Sequence, residues 1–279
     1  MNGIIVVNKE KGYTSRDVVN IISKIVGTKK VGHTGTLDPI AEGVLVVCVG
    51  KATKLCDYLT SDDKEYVATF DLGYETDTLD NTGEVINTSQ KKVSNEDIKS
   101  IINSFKGSYN QEVPKYSAVK INGKKLYEYA RSNIEVSLPK RIVNIKNIEI
   151  LNIGKSITIK CLVSKGTYIR SLIRDIGYEL GTYATMTSLV RTRQGLFKID
   201  DSNTLEDIKN DKYNIISIEE VFSTYKKVSM SEIEYKKISN GVILDNIYNS
   251  EYVLFYYKDK LVSIYKKYEK SKLKPFIMI

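Results

Sequence analysis

The sequence predicts an α+β protein, and three observations carry that expectation. Segments with helical apolar periodicity occur beside segments that alternate with period two. The two kinds are mixed without the regular strand–helix–strand rhythm of a doubly wound parallel sheet. The C-terminal stretch reads mostly as strands, so a small β unit follows a larger mixed one. A chain of 279 residues, 42% hydrophobic and 27% charged, is long enough for this plan and excludes disorder as the main state.

The elements follow in order. Ile4 to Val7 is an apolar run expected to be a buried strand, and Asn8-Lys9-Glu10-Lys11-Gly12 is the turn that ends it. Thr14 and Asp17 have the form of a capping box. Val18, Ile21, Ile22 and Ile25 then repeat at helical spacing, and Gly27 sits where a helix-ending glycine belongs. The same plan recurs from Ser94 to Phe105, with Ile98, Ile101, Ile102 and Phe105 on the buried face and Gly107 after it. Ser156 to Val163 alternates as a half-buried strand should, with Ile157, Ile159, Cys161 and Val163 on one face. It runs through Lys165-Gly166-Thr167-Tyr168-Ile169-Arg170 into a helix carrying Leu172, Ile173, Ile176 and Leu180. Side chains two apart in a strand point the same way, which puts Tyr168 and Arg170 on one face. The polar stretch Asp200 to Asn214 loosens the pattern, and a second unit is expected after Phe222, dividing the chain into 1–222 and 223–279. That unit reads as a helix from Ser231 to Ser239, strands Tyr252–Tyr257 and Leu261–Tyr268 about a Lys258-Asp259-Lys260 turn, and a final Phe276–Ile279 segment.

Charge narrows the partners. The net charge is +8, of which residues 223–279 carry +5 through eleven lysines, no arginine and six acids. A basic, tyrosine-rich tail suits an RNA-contacting module, and on composition alone a lysine-coated solubilising surface suits it equally. The three cysteines, Cys48, Cys56 and Cys161, stand apart, and there is one histidine, so a structural zinc site and a disulfide framework are both excluded and the cysteines are expected to be buried as small hydrophobes. Apolar runs such as Val44 to Val49 are far too short to span a membrane, and the N-terminus lacks the basic region of a signal peptide. A cytoplasmic protein is expected.

The segment Gly32-His33-Thr34-Gly35-Thr36-Leu37-Asp38-Pro39-Ile40-Ala41-Glu42-Gly43 stands out. Glycines allow tight backbone geometry, and Pro39 restricts Asp38 to an extended conformation, so a carboxylate is held on a stiff loop. A phosphate loop is the rival reading, but no Gly-Lys-Ser/Thr follows. Further along lie Lys64-Glu65-Tyr66 near a strand start, the polar Gly73-Tyr74-Glu75-Thr76-Asp77-Thr78-Leu79-Asp80, the basic-aromatic Pro114–Lys120 and Gly123–Arg131, and Ser164-Lys165-Gly166-Thr167-Tyr168-Ile169-Arg170.

Five motifs within these segments, Gly-His-Thr-Gly-x-Leu-Asp-Pro, Lys-x-Tyr, Gly-x-x-Thr-Asp-Thr-x-Asp, Tyr-Ser-Ala-x-Lys and Ser-Lys-Gly-Thr-Tyr-Ile-Arg, in this order and spacing over about residues 3–195, resemble the bacterial tRNA pseudouridine-55 synthase (TruB) family. The resemblance implies a pseudouridine-synthase fold, a mixed and mainly antiparallel sheet flanked by helices, with 223–279 as a PUA-like RNA-binding domain. It implies isomerisation of uridine 55 in the T-loop of tRNA, with Asp38 as the carboxylate that starts breaking the uracil–ribose bond. Arg170 is expected to pair with Asp38, and Tyr66 to stack on the uracil and help remove the proton at C5, so that these three form the catalytic set. Tyr168 and Leu189 are expected to line the pocket, and His33 to bind the flipped-out nucleotide and its loop. Lys9, Lys120 and Arg131 are candidates for phosphate contacts, with solvated surface positions nearly as well supported. Asp77 and Asp80 lie beside the cleft by resemblance, or cap their own loop. The reaction breaks and re-forms bonds without a redox step, so no metal or organic cofactor is expected. The partner is the T-arm of tRNA. A monomer without an obligatory protein partner is expected in preference to a non-catalytic RNA binder or a guide-dependent relative.

Overall fold

Seven strands form the spine of the main sheet, in the order Gly3–Lys9, Glu42–Val49, Ala184–Gln194, Lys64–Leu72, Ile157–Val163, Lys140–Ile153 and Gly107–Glu112. Val31–His33 and Phe197–Lys198 add to it. The description is of a computed structural model covering residues 1–279. No helix in it is long and apolar enough to cross a membrane.

Every pairing in this sheet is antiparallel except one. Ala184–Gln194 runs parallel to Glu42–Val49, with Val190 opposite Glu42 and Arg191 opposite Gly43. Gly43 has φ of 98°, and a Cβ there would lie 2.3 Å from the Arg191 carbonyl oxygen, so only glycine allows this approach. The junction matters for the site, because Glu42 and Gly43 end the loop that carries Asp38.

Alternation along the Gly3–Lys9 and Glu42–Val49 strands sends side chains to two cores. Ile5, Val7, Leu45 and Val47 face the larger one, where they meet Ala68, Phe70, Ile159 and Cys161. Three helices cover this face: Ser15–Ile25 buries Val18 and Ile22, Asn95–Ser104 buries Ile98 and Ile102, and Ile169–Glu179 buries Leu172, Ile173 and Ile176. Each such side chain removed from water contributes about 1.5–3 kcal/mol. The first helix begins on the expected capping box. The Asp17 N–H donates to Thr14 Oγ1 at 3.1 Å, and the Thr14 N–H donates to the Asp17 carboxylate at 2.9 Å. Gly27 follows at φ 66°.

Ile4, Val6, Val44, Val46 and Cys48 face the other way and share a core with Phe222, Leu254, Ile264 and Ile277. The last three belong to a five-stranded sheet ordered Lys226–Ser229, Tyr252–Tyr257, Lys260–Tyr268, Lys272–Met278 and Leu244–Asp245. The expected 231–239 helix is present as Glu232–Ser239, capped by Ser231. Residues after 222 thus own a sheet, but one face of it is buried against the main sheet. Tyr58, Phe222, Tyr252 and Phe276 seal the seam with ring centroids 5.1–6.1 Å apart. Cys48 and Cys161 are buried as expected, while Cys56 is half-buried beside Cys48.

The 165–170 link is not strand-like. Tyr168 is the residue that precedes the Ile169–Glu179 helix, and Arg170 lies in its first turn. Their shared direction therefore comes from the helix start and not from strand alternation.

Candidate active site

Asp38 projects from the 34–41 loop, which is tied down on both sides. Leu37, its neighbour, exchanges hydrogen bonds with Ser15 of the first helix: the Leu37 N–H donates to Ser15 Oγ at 2.9 Å, and that hydroxyl donates to the Leu37 carbonyl at 3.2 Å. Thr34 is held by buried Gln194, whose amide donates to the Thr34 carbonyl at 3.1 Å and to Leu59 O at 3.1 Å. The loop is stiff because its main-chain groups are satisfied by buried side chains.

Arg170 meets the carboxylate. Its Nη2 lies 2.9 Å from Asp38 Oδ2, and the arginine side chain is 5% exposed against 35% for Asp38. The same guanidinium donates to Thr78 O at 2.8 Å and to Tyr116 O at 3.0 Å. Its Nε also faces Asp80 Oδ2 at 3.9 Å. Asp80 is buried and accepts from the Thr82 N–H at 3.0 Å and the Thr78 hydroxyl at 2.9 Å. Between them Leu79 holds a left-handed φ of 64°, a conformation that costs a branched residue about 1–2 kcal/mol and marks a strained turn beside the site. Asp80 thus joins the guanidinium that orients Asp38. Asp77 lies further out, accepting from Tyr116 Oη at 3.0 Å and capping its loop through the Glu84 N–H at 2.9 Å.

A cleft of about 490 Å³ opens over this pair, a size suited to a nucleoside. Leu37, Tyr66, Tyr168 and Leu189 supply its apolar and aromatic wall. Tyr66 stands on the Lys64–Leu72 strand opposite Cys161 and Arg191, nearly buried. Tyr168 is fixed through its main chain by buried Gln111, which accepts its N–H at 2.8 Å and donates to its carbonyl at 3.0 Å. Arg141 lies 5.3 Å over the Tyr168 ring. Gln111, Ser15 and Gln194 carry no motif of their own, and no signal in the sequence singled them out.

The structure therefore brings Asp38, Tyr66, Tyr168, Arg170 and Leu189 to one cleft. It does not bring the other candidates there. His33 lies on the Val31–His33 strand, its Nδ1 accepting from the Gly35 N–H at 3.3 Å. Burial, with help from Arg16 and Arg191, holds its imidazole below the ordinary range, so it is neutral at pH 7. Lys120 and Arg131 are exposed on the segment formed by the Lys120–Ile121 and Lys124–Lys125 hairpin and the Leu126–Arg131 helix. Lys9 differs from both expectations for it. It is fully buried, with Nζ donating to Tyr13 O at 2.8 Å and Glu10 O at 3.0 Å, so its ammonium is neither solvated nor free for a phosphate. Burial lowers it to about 8. Lys64, in the cleft wall, is similar: it donates to Asp62 O at 2.7 Å and Thr60 O at 3.0 Å, and burial lowers it to about 8.

The arrangement presents a reachable carboxylate, steadied by a buried guanidinium and facing an aromatic slot. Such a group can act as a nucleophile or a base on a flat ring held in the slot.

Comparison with known proteins places the chain. Residues 23–169 match the model for the TruB family pseudouridylate synthase N-terminal domain, and residues 170–223 match that of the tRNA pseudouridylate synthase B C-terminal domain. The tRNA pseudouridine synthase B of Clostridium tetani is 44% identical over 277 residues, covering 96% of each chain. That of Bacillus subtilis is 42% identical over 259 residues, covering 88% of this chain and 84% of its own. Among solved structures, the crystal structure of a Cbf5–Nop10–Gar1 complex is similar with a TM-score of 0.72 and 29% identity, over 99% of this chain and 84% of that one. With both family models matched in sequence order and relatives aligned across nearly the whole length, the chain belongs to the TruB family of pseudouridylate synthases.

Proposed function

We propose that the protein isomerises uridine 55 in the T-loop of tRNA to pseudouridine, with Asp38 as the catalytic carboxylate. The observation that carries this reading is the 2.9 Å pair of Asp38 with buried Arg170 at the floor of a cleft walled by Tyr66. The names of relatives more than 40% identical supply the substrate class, tRNA.

A uridine inside a folded loop must leave the stack to reach such a cleft. Tyr66, Tyr168 and Leu189 then hold the base, with Tyr66 stacked on the uracil. Asp38 starts the cleavage of the bond between C1′ and N1. The uracil turns, C1′ bonds to C5, the C5 proton leaves and N1 takes one up, so atoms and electrons balance without an oxidant. Arg170 keeps the carboxylate oriented throughout. His33, at the edge of the 34–41 loop, meets the nucleotides around the everted one, and Lys120 and Arg131 meet phosphates. Residues 1–222 are the catalytic unit, and residues 223–279 a PUA-like unit that adds to the RNA grip. The protein works as a monomer in the cytoplasm, without a guide RNA or protein partner.

Asp38→Asn tests this. The variant should bind tRNA like the parent while losing turnover by ~10⁴-fold or more, a barrier increase of at least ~5 kcal/mol. Mapping of pseudouridine in unmodified tRNA, with no guide added, reads the result. Substantial product from the variant removes Asp38 from the reaction, and parent protein that binds tRNA without forming product is a binder and not an enzyme.

A further inference from the structure

Arg191 is among the largest fully buried side chains, yet it also reaches the wall of the cleft. Its Nε donates to the Val44 carbonyl at 2.6 Å and its Nη2 to the Gly35 carbonyl at 3.0 Å. Both acceptors are main-chain oxygens rather than carboxylates. They lie on opposite sides of Asp38 in sequence: Gly35 opens the segment that leads to the carboxylate, and Val44 lies near the start of the Glu42–Val49 strand that leaves it. The planar guanidinium thus spans the mouth of the loop and ties its two ends together. The backbone beneath adds a second tie, since Arg191 is the residue paired with Gly43 at the sheet's single parallel junction. Gly35 leaves little room at this contact: a Cβ there would lie 3.3 Å from Arg191 Nη1, a little tighter than side chains ordinarily pack.

We propose that Arg191 is a positioning residue for the reaction: by bridging Gly35 and Val44 it sets the span of the loop, and with it the place of the Asp38 carboxylate opposite Arg170. The proposal rests on Asp38 being the catalytic carboxylate. A buried cation with only carbonyl partners carries a desolvation penalty that an apolar side chain would avoid, so its presence in the wall of the site calls for a gain other than packing. Its fork can bond two divergent carbonyls at once, whereas a lysine ammonium is a single point on a flexible stem. A catalytic group displaced by about 1 Å loses on the order of 10²-fold in rate.

The test compares Arg191→Lys and Arg191→Met with the parent, using unmodified tRNA. Melting temperature reports folding, filter binding reports affinity, and single-turnover pseudouridine formation at saturating enzyme reports the chemical step. Arg191→Met should bind tRNA within about threefold of the parent and react about 100-fold more slowly. Arg191→Lys, which keeps the charge but spans one carbonyl, should still lose about tenfold, because geometry and not charge is at stake. A folded Arg191→Met that reacts within threefold of the parent overturns the proposal. So does a defect confined to binding, or full rescue by lysine. If neither variant folds, Arg191 belongs to the fold alone and the proposal is again overturned. Asp38→Asn in the same assay separates this outcome from failure of the underlying reading: if that variant reacts, the error lies with Asp38 itself.

Discussion

Replacing Arg170 by Met removes one cation from between two acids of different exposure, and the structure assigns the two losses different sizes. Asp38, whose side chain is 35% exposed, can be solvated when the guanidinium leaves, so its pair contributes on the order of 1 kcal/mol or less to stability. Asp80 is 6% exposed and stays buried without a cation. Removing one member of a buried pair costs roughly 3–5 kcal/mol, and the low end applies because the Thr78 and Thr82 donors remain and the separation is already 3.9 Å. The carbonyls of Thr78 and Tyr116 each lose a charged donor as well, and these terms do not add independently. A total of about 4 kcal/mol corresponds to a fall in melting temperature of about 8–16 °C. The assay is thermal unfolding at pH 7 of the parent, Arg170→Met, Asp80→Asn and the double variant. Asp80→Asn removes the stranded charge while keeping its shape, so the double variant should be more stable than Arg170→Met by about 1–2 kcal/mol. Its turnover should stay lost, because Asp38 still lacks its partner. A double variant no more stable than Arg170→Met refutes the reasoning, as does an Arg170→Met that melts within about 2 °C of the parent.

The buried lysines make stability depend on pH. Lys9 and Lys64 are lowered to about 8 in the fold, against an ordinary 10.5, so between those values the unfolded chain binds more protons. The lysine contribution to stability should therefore rise with pH from about 8 to about 9.5, opposed over the same range by Cys48 and Cys161, whose thiols the fold holds above their ordinary range so that they ionise only in the unfolded chain. Urea titrations of the parent and Lys64→Met across that range check this: the parent should gain more stability with pH than the variant, and equal slopes refute the lysine contribution. Lys120→Gln and Arg131→Gln should each weaken tRNA binding and lower the slope of log K against log salt by about 0.7–0.9, and an unchanged slope removes that residue from the phosphate contacts.

Local rules made several elements legible. Thr14, Asp17, the Val18–Ile25 spacing and Gly27 specify the first helix without help from the rest of the chain, and Ser94 with Ile98 and Ile102 does the same for the second. Two strands of the main sheet were not legible, for an identifiable reason. Ala184–Gln194 carries bulges between Met186 and Ser188 and between Arg191 and Arg193, and Lys140–Ile153 carries two more, so period-two alternation slips within each. Around Tyr168 and Arg170 the strand-period argument misread a helix start, although both side chains do line one cleft. Motif order brought out Asp38, Tyr66 and Arg170. The supports Ser15, Gln111 and Gln194 bond main-chain groups distant in sequence, a relation that only the folded chain displays. Lys9 shows the converse: the same residue type serves solvent or core, and composition alone does not distinguish them.

The apolar seam between the two sheets has a mechanical consequence. Leu254, Ile264 and Ile277 cannot swing away from Ile4, Val6 and Val46 without exposing them to water. The lysine-rich tail is therefore not a tethered arm searching space around the cleft. A polyanion that touched both regions would meet them at one fixed separation, set by this seam.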